Sequence, residues 1–429
     1  MKNLNILFDK TAIDKIKKDS FLRNSIIFFV GSFLASIGNY LYQFLMARMF
    51  SVKAYGELQS LLSIFVIVSI PTAALSTVLI KWTAHFKARQ QMNKIYGLFS
   101  FFANKVLIIS ILFFIVFTLL SNYIKEFLNL NSNLPVIILG TSFLIAFLQS
   151  INRGVIQGLE KFKDASLISL TEVFFKIFLA VLLVKLGFGL NGAVGAIVLA
   201  VLIAYFISFL PIKFLFREQK KKVEINEILK YFFPVSFTLL FLTILYNMDI
   251  ILVKHFFPAQ VAGEYGALAI LGHIVFFIVT PLIMVMFPMT AAAYSNNTDH
   301  SKILKKTIFL VSLVSFGILF FYFLFPEIII KILIGSKFLS ISKYLGWFGA
   351  AMFLCSLINL FLQYFLSIQK INCTYFVGIG AVLQIALISF WHNALWQIVL
   401  IMNVVMSLIL ISLTAYYLKT KNSYAEVNI

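Results

Sequence analysis

The sequence predicts an all-α polytopic membrane protein. It should have about twelve transmembrane helices in two six-helix bundles related by an internal parallel repeat. Three observations carry that expectation. Of the 429 residues, 61% are hydrophobic and only 12% are charged. A soluble domain carries about 25% charged residues, so this chain lacks the polar residues to clothe a water-facing surface. The apolar residues fall into runs of bilayer-spanning length, and the second half of the chain repeats features of the first at a fixed offset.

The apolar runs are Asn24–Phe44, Leu58–Ile80, Leu98–Leu120, Leu134–Ile151, Ala165–Val184, Leu190–Phe214, Ile228–Val253, Ala262–Met289, Ile303–Phe325, Tyr344–Ile368, Tyr375–Phe390 and Leu395–Leu418. Runs five and six are divided only by the stretch Gly187 to Gly192, "GFGLNG". Runs eleven and twelve are divided only by Trp391 to Ala394, "WHNA". Every connection is short, which leaves no room for an inserted soluble domain.

The formal net charge is +19. Its distribution follows topology. With the N-terminus placed in the cytoplasm, the inner segments hold 25 of the Lys and Arg residues and the outer loops 8, while Lys105 and Lys176 lie within spans. That bias is the positive-inside signature of an even number of spans with both termini cytoplasmic. It also removes the reason to read the charge as a nucleic-acid surface. The first 24 residues are basic and polar with no cleavable apolar core, so the first helix is expected to insert the chain itself. Cys355 and Cys373 belong to no metal-binding cluster. No Gly-x-x-x-x-Gly-Lys-Ser/Thr sequence is present, which excludes ATP hydrolysis by this motif. No cofactor is expected.

Sliding the sequence against itself by 207 residues aligns Leu45 with Leu252, Phe50 with Phe257, Gly56 with Gly263, Glu57 with Glu264, Leu61 with Leu268 and Val68 with Val275. Each Gly-Glu pair follows the first span of its half. This predicts an N-terminal bundle over residues 1–212, a basic cytoplasmic linker over 213–230 and a C-terminal bundle over 231–429. Many secondary transporters are built from such repeats, with the substrate site between the halves. The stretch "SVKAYGELQS", Ser51 to Ser60, and its shifted copy "PAQVAGEYGA", Pro258 to Ala267, are read as structural corners. In that reading Glu57 and Glu264 sit at helix starts, where the dipole favours them. The glycines Gly187, Gly189, Gly192 and Gly195 imitate a dinucleotide fingerprint, but no strand precedes them. A tight turn and close helix packing explain them better.

Several stretches resemble a known family. "FLMARMFSVKAYGEL" looks like the helix-one-to-two connection of polysaccharide-transport flippases, within the multidrug/oligosaccharidyl-lipid/polysaccharide exporter superfamily. "INRGVIQGLEKFKDASLISLTEVFFKIFLAVLLVKLGFGLNGAVGA", Ile151 to Ala196, has that family's Arg-Gly, Gln-Gly and Lys-Phe turn after helix four. "NMDIILVKHFFPAQVAGEYGAL", Asn247 to Leu268, and "FPMTAAA", Phe287 to Ala293, are similar to its second half. The resemblance implies twelve to fourteen helices in two bundles, alternating access, and a polyprenyl-diphosphate-linked glycan as cargo for cell-surface polysaccharide biosynthesis. Glycan biosynthesis enzymes would then be its partners. A drug or small-metabolite exporter of the same superfamily is the alternative. An integral membrane enzyme is disfavoured by the short outer loops.

Charges inside spans are costly and mark candidate sites. Lys105 would attract a diphosphate or snorkel to the interface. Glu172 and Lys176 are four apart, share a helix face and can pair, and that pair would open when substrate phosphate competes for the lysine. Arg48, with Lys53, Lys254 and His255, would form a positive outer vestibule or an interfacial anchor. Arg153 stands at the inner end of helix four. Asp249 would couple transport to sodium or a proton, or else pair with Lys254 or Arg48. His273 is read as a packing residue. Tyr40, Tyr42, Tyr246 and Trp347 are candidates for stacking on sugars, or for core and belt.

Overall fold

The computed structural model describes residues 20–295, 298–368, 370 and 372–427. Lys2, Lys10, Lys15, Lys17 and Lys18, counted in the expected inner charge excess, lie outside them. The described residues form helices and turns, with no strand. In chain order the helices are α1 (Ser20–Met49), α2 (Val52–Val68), α3 (Ile70–Ala88), α4 (Met92–Leu119), α5 (Ser121–Phe127), α6 (Leu134–Gly158), α7 (Phe162–Leu183), α8 (Gly189–Ser208), α9 (Asn226–Phe256), α10 (Ala259–Ser295), α11 (Ser301–Leu324), α12 (Pro326–Leu333), α13 (Ser342–Ser367), α14 (Cys373–Phe390) and α15 (Leu395–Val427). Short 3-10 turns cover Leu210–Arg217 and Ser336–Ile341.

Eleven stretches among the described residues are long and apolar enough to cross a bilayer. One of them, Phe162–Ser208, has 47 residues and contains two helices. The chain reverses after α7 at Gly187 (φ 93°) and Gly189 (φ 50°), conformations that L-residues with a side chain rarely adopt. Helices α7 and α8 then pack against each other, so the eleven stretches supply twelve crossings. The tight turn expected of the Gly187–Gly192 segment is present.

The second crossing begins earlier than its apolar run. Ser51 caps α2, its Oγ accepting from the Ala54 amide at 3.3 Å. Glu57 is therefore the sixth residue of α2 and not a helix-start acid, which corrects the dipole explanation given for it. The helix breaks at Ser69, and Pro71 is the second residue of α3, where its missing N–H costs nothing.

The chain divides into two compact units. Among the described residues, the first comprises 20–43, 71–122 and 133–232, and the second comprises 44–70, 123–132 and those from 233 onward. In the first unit α8 packs on α6 and α7, and α4 on α6. The Arg-Gly and Gln-Gly sequences lie within α6, not in a turn after it. The turn comes later, at Glu160 (φ 60°). Gly154 and Gly158 face α3, and a Cβ on Gly158 would come within 2.8 Å of the Ile80 carbonyl oxygen. Two small residues one turn apart let these helices approach closely, as membrane helices commonly do.

In the second unit α10 packs on α2, α11 and α13, and α13 on α15. The two Gly-Glu corners of the sequence repeat meet there. A Cβ on Gly56 would lie 2.7 Å from the Gly263 Cα, and one on Gly263 would lie 1.9 Å from the Val52 carbonyl oxygen. The repeated glycines are thus the point where α2 and α10 cross. Gly56→Leu is expected to cost upwards of about 2 kcal/mol through overpacking against backbone that cannot yield. Gly195→Ala, where an added Cβ meets nothing within 4 Å, should leave stability unchanged or slightly raised. Apparent Tm and monodispersity of the detergent-purified chain would check both.

Candidate substrate and ion sites

The first unit gathers four polar positions from three helices. Glu172 and Lys176 lie one turn apart on α7, as their spacing predicts, but no ion pair joins them. Among the described residues, the ion pairs are Lys87–Glu160 and Lys302–Asp299. The expectation of a Glu172–Lys176 pair is corrected on that point. The reason is that each charge has an amide partner from another helix. Gln149 of α6 donates its Nε2–H to Glu172 Oε2 at 2.9 Å. The Lys176 ammonium donates to Asn39 Oδ1 of α1. It also stands over the Tyr42 ring, 5.1 Å from its centroid, a cation–π placement. Tyr42 itself is buried, and its hydroxyl donates to the Ala193 carbonyl at 3.2 Å. Its ring is therefore part of the wall and is not open to stack on a sugar.

Glu172, Gln149 and Arg153 line one cavity of about 10 Å3, together with Ser169 and Ser208. That is room for a single water. Arg153 is exposed and one turn beyond Gln149 on α6.

Lys105 stands alone. It is the fourteenth of the 28 residues of α4, about 20 Å from the helix start at 1.5 Å per residue. It is exposed, and no side chain pairs with it among the described residues. At that depth an exposed ammonium needs water or an anion, because hydrocarbon offers it nothing.

The second unit holds the other two candidates, Asp249 on α9 and Arg48 at the end of α1. Asp249 is fully buried. The Tyr265 hydroxyl of α10 donates to its Oδ2 at 2.7 Å, while Oδ1 has no hydrogen-bond partner among the described residues. It pairs with neither Lys254 nor Arg48. Nearby, Asn247 donates to the Thr243 carbonyl at 3.3 Å, and the His273 ring meets the Tyr246 carbonyl at 2.8 Å, the packing role expected of that histidine.

Arg48 donates through Nε to the Leu333 carbonyl at 3.4 Å and through Nη2 to the Ile332 carbonyl. It thus caps the C-terminal end of α12. Lys337 does the same for the end of α1, donating to the Arg48 carbonyl at 3.2 Å and to the Phe50 carbonyl. Lys254, by contrast, is buried, donating to the Asn129 carbonyl at 3.2 Å. Glu57 is 5% exposed and accepts from Asn131 Nδ2 at 3.0 Å. Asn129 takes a positive φ of 47°, and the Asn129–Asn131 segment ties the end of α9 to α2.

Sequence reasoning missed Gln149, Asn39 and Tyr265. They are uncharged, and no charge-based search selects them. A search for amides and hydroxyls in spans would have found all three, along with many polar residues that only bond their own helix backbone.

This fold is shared by solved transporters described as members of the MOP superfamily. Solved structures sharing it include an inward-facing multidrug resistance MATE family transporter, with a TM-score of 0.75, 13% identity, and coverage of 92% of this chain and 95% of that one. The lipid II flippase MurJ in an inward closed conformation matches with a TM-score of 0.69, 16% identity, and coverage of 91% and 87%. A MOP superfamily transporter from Pyrococcus furiosus, described as having a binding pocket of reverse polarity that suggests a different function, matches at 0.60, 15% identity, and coverage of 92% and 95%. Among curated protein sequences, none matches. The polysaccharide biosynthesis protein family matches residues 45–343, and the chain belongs to that family. It is a multi-pass membrane protein, and the solved structures that share its fold are described as transporters and a flippase.

Removing the Tyr265 donor should expose the cost of the buried Asp249. Tyr265→Phe leaves both carboxylate oxygens without a side-chain donor and is expected to destabilise by about 1–3 kcal/mol. Tyr265→Phe combined with Asp249→Leu should recover much of that loss. Thermal unfolding of the purified variants would measure both.

Proposed function

We propose that this chain is a flippase for a lipid-linked oligosaccharide. It would move a polyprenyl-diphosphate head group across the cytoplasmic membrane by alternating access, for cell-surface polysaccharide biosynthesis. In this reading both termini are cytoplasmic, the rocking bundles follow the sequence halves 1–212 and 231–429 except that 44–70 and 123–132 belong to the second, and 213–230 is their linker. The acyl tail stays in the bilayer while the head group crosses through a solvated path. Enzymes that assemble the glycan supply the cargo on one side and consume it on the other.

The observation that carries the reading is the sign of the unpaired intramembrane charge in the first unit. Lys105 and Lys176 are cations on apolar helices with no carboxylate paired to either among the described residues. Arg153 adds a third cation at the end of α6. A diphosphate is the anion that such a set favours, since charge-assisted hydrogen bonds to phosphate are strong where water is scarce. Glu172 would tune that field. Arg48 would contribute at the far end of α1, through the order it imposes on α12. Membership of a polysaccharide biosynthesis family supports a glycan cargo.

The alternative, an exporter of drugs or small metabolites, draws support from the MATE fold likeness. A cationic drug would be poorly served by these lysines. Asp249 is the proposed coupling site. Its unpartnered Oδ1 in a buried setting suits a proton or a sodium ion, either of which would satisfy it.

Reconstituted vesicles scored for inward-to-outward movement of a labelled polyprenyl-diphosphate sugar test the proposal. The Lys105→Ala/Lys176→Ala variant should lower the rate at least tenfold, about 1.4 kcal/mol. Equal movement by that variant would sink the cationic site. Asp249→Asn should abolish the dependence of transport on an imposed sodium or proton gradient while the folded protein is retained.

A further inference from the structure

The spacing of Glu172 and Lys176 makes an ion pair the default outcome, yet the pair is not formed. An i,i+4 Glu–Lys pair in this order is the favoured one on a helix, and in a membrane the incentive is larger. Two amides intervene. Gln149 of α6 occupies a carboxylate oxygen of Glu172 at 2.9 Å, and Asn39 of α1 occupies the ammonium of Lys176. The Tyr42 ring supports the ammonium from one side, and that ring is fixed by its hydroxyl bond to the Ala193 carbonyl. Gln149 is 9% exposed, so it is built into the core between α6 and α7. Asn39 by contrast is exposed on α1. Lys176 is half-buried, with the exposed Asn39 as its hydrogen-bond partner.

We infer that Asn39 and Gln149 are positioning residues that hold Glu172 and Lys176 apart, so that the Lys176 ammonium remains available to a phosphate group. A neutral amide is a weaker partner for an ammonium than a carboxylate or a phosphate. A phosphate can therefore displace Asn39 from Lys176 at small cost. It would displace Glu172 only at a much larger one. Glu172, kept one turn away, lowers the affinity enough to let the anion leave. The inference rests on the phosphate-bearing cargo proposed above and adds to it the residues that keep the cation free.

Its test uses the full-length chain in detergent and farnesyl diphosphate as the probe, with farnesol as the uncharged control, read by isothermal titration. The wild-type chain should prefer the diphosphate, and Lys176→Gln should lose that preference. Asn39→Leu should weaken diphosphate binding about tenfold, because the lysine then turns to Glu172. Asn39→Leu/Glu172→Gln should recover most of it, because no carboxylate is left to capture the lysine. A purely structural role for Asn39 would give no such recovery. If Asn39→Leu does not yield folded protein, Asn39→Ala carries the same comparison. Wild-type-like binding by the Asn39 variant, or failure of the double variant to recover, overturns the inference while leaving the cationic site standing. A Lys176→Gln variant that keeps the preference overturns the inference alone, because Lys105 and Arg153 remain, whereas a wild-type chain with no preference for the diphosphate overturns the cargo reading and this inference together.

Discussion

A polar group inside the hydrocarbon layer has no water to turn to, so each one must find its partner within the protein or face a wet space. Much of the side-chain chemistry of this chain follows from that constraint. Asp249 takes a tyrosine hydroxyl, Glu172 a glutamine amide, Lys254 a backbone carbonyl and Glu57 an asparagine. Each partner comes from a different helix or a loop, so every buried charge also ties two elements together. Burying a charge is expensive, and its partners fix its position more tightly than apolar packing alone would.

The same constraint separates cations that serve the scaffold from those left open to ligands. Arg48 and Lys337 spend their donors on the carbonyls that end α12 and α1, groups that would otherwise be orphaned at a helix terminus. Lys105 spends its donors on nothing within the described structure, and Lys176 spends one on an exchangeable amide. The sign of charge is alike in these lysines and the arginine. What differs is whether a carbonyl lies within reach.

Close approach of helices is the second organising element. Gly56 with Gly263, and Gly154 with Gly158, let backbones meet where any side chain would collide. The first pair joins the two copies of the sequence repeat. The stretch from Ser51 to Ser60 therefore holds the start of α2, a helix-crossing point and a seat for a buried glutamate. It was readable as a repeat from the sequence, but its contact was not. Pattern matching aligns Gly56 with Gly263 without showing that they touch.

Composition, run length and charge bias determined the membrane class, the twelve crossings and the reversal at Gly187–Gly189, because these depend on local hydropathy and on backbone conformations open chiefly to glycine. The charged members of the candidate sites were also legible, since a lysine or an aspartate stands out in an apolar run. Tertiary structure alone decided their partners. The i,i+4 spacing of Glu172 and Lys176 points to a pair, and only the arrival of Gln149 and Asn39 from α6 and α1 keeps them apart. Local spacing governs which groups can meet on one helix. Packing between helices brings in a competing donor or acceptor, and in a medium without water that competition settles where each charge is spent.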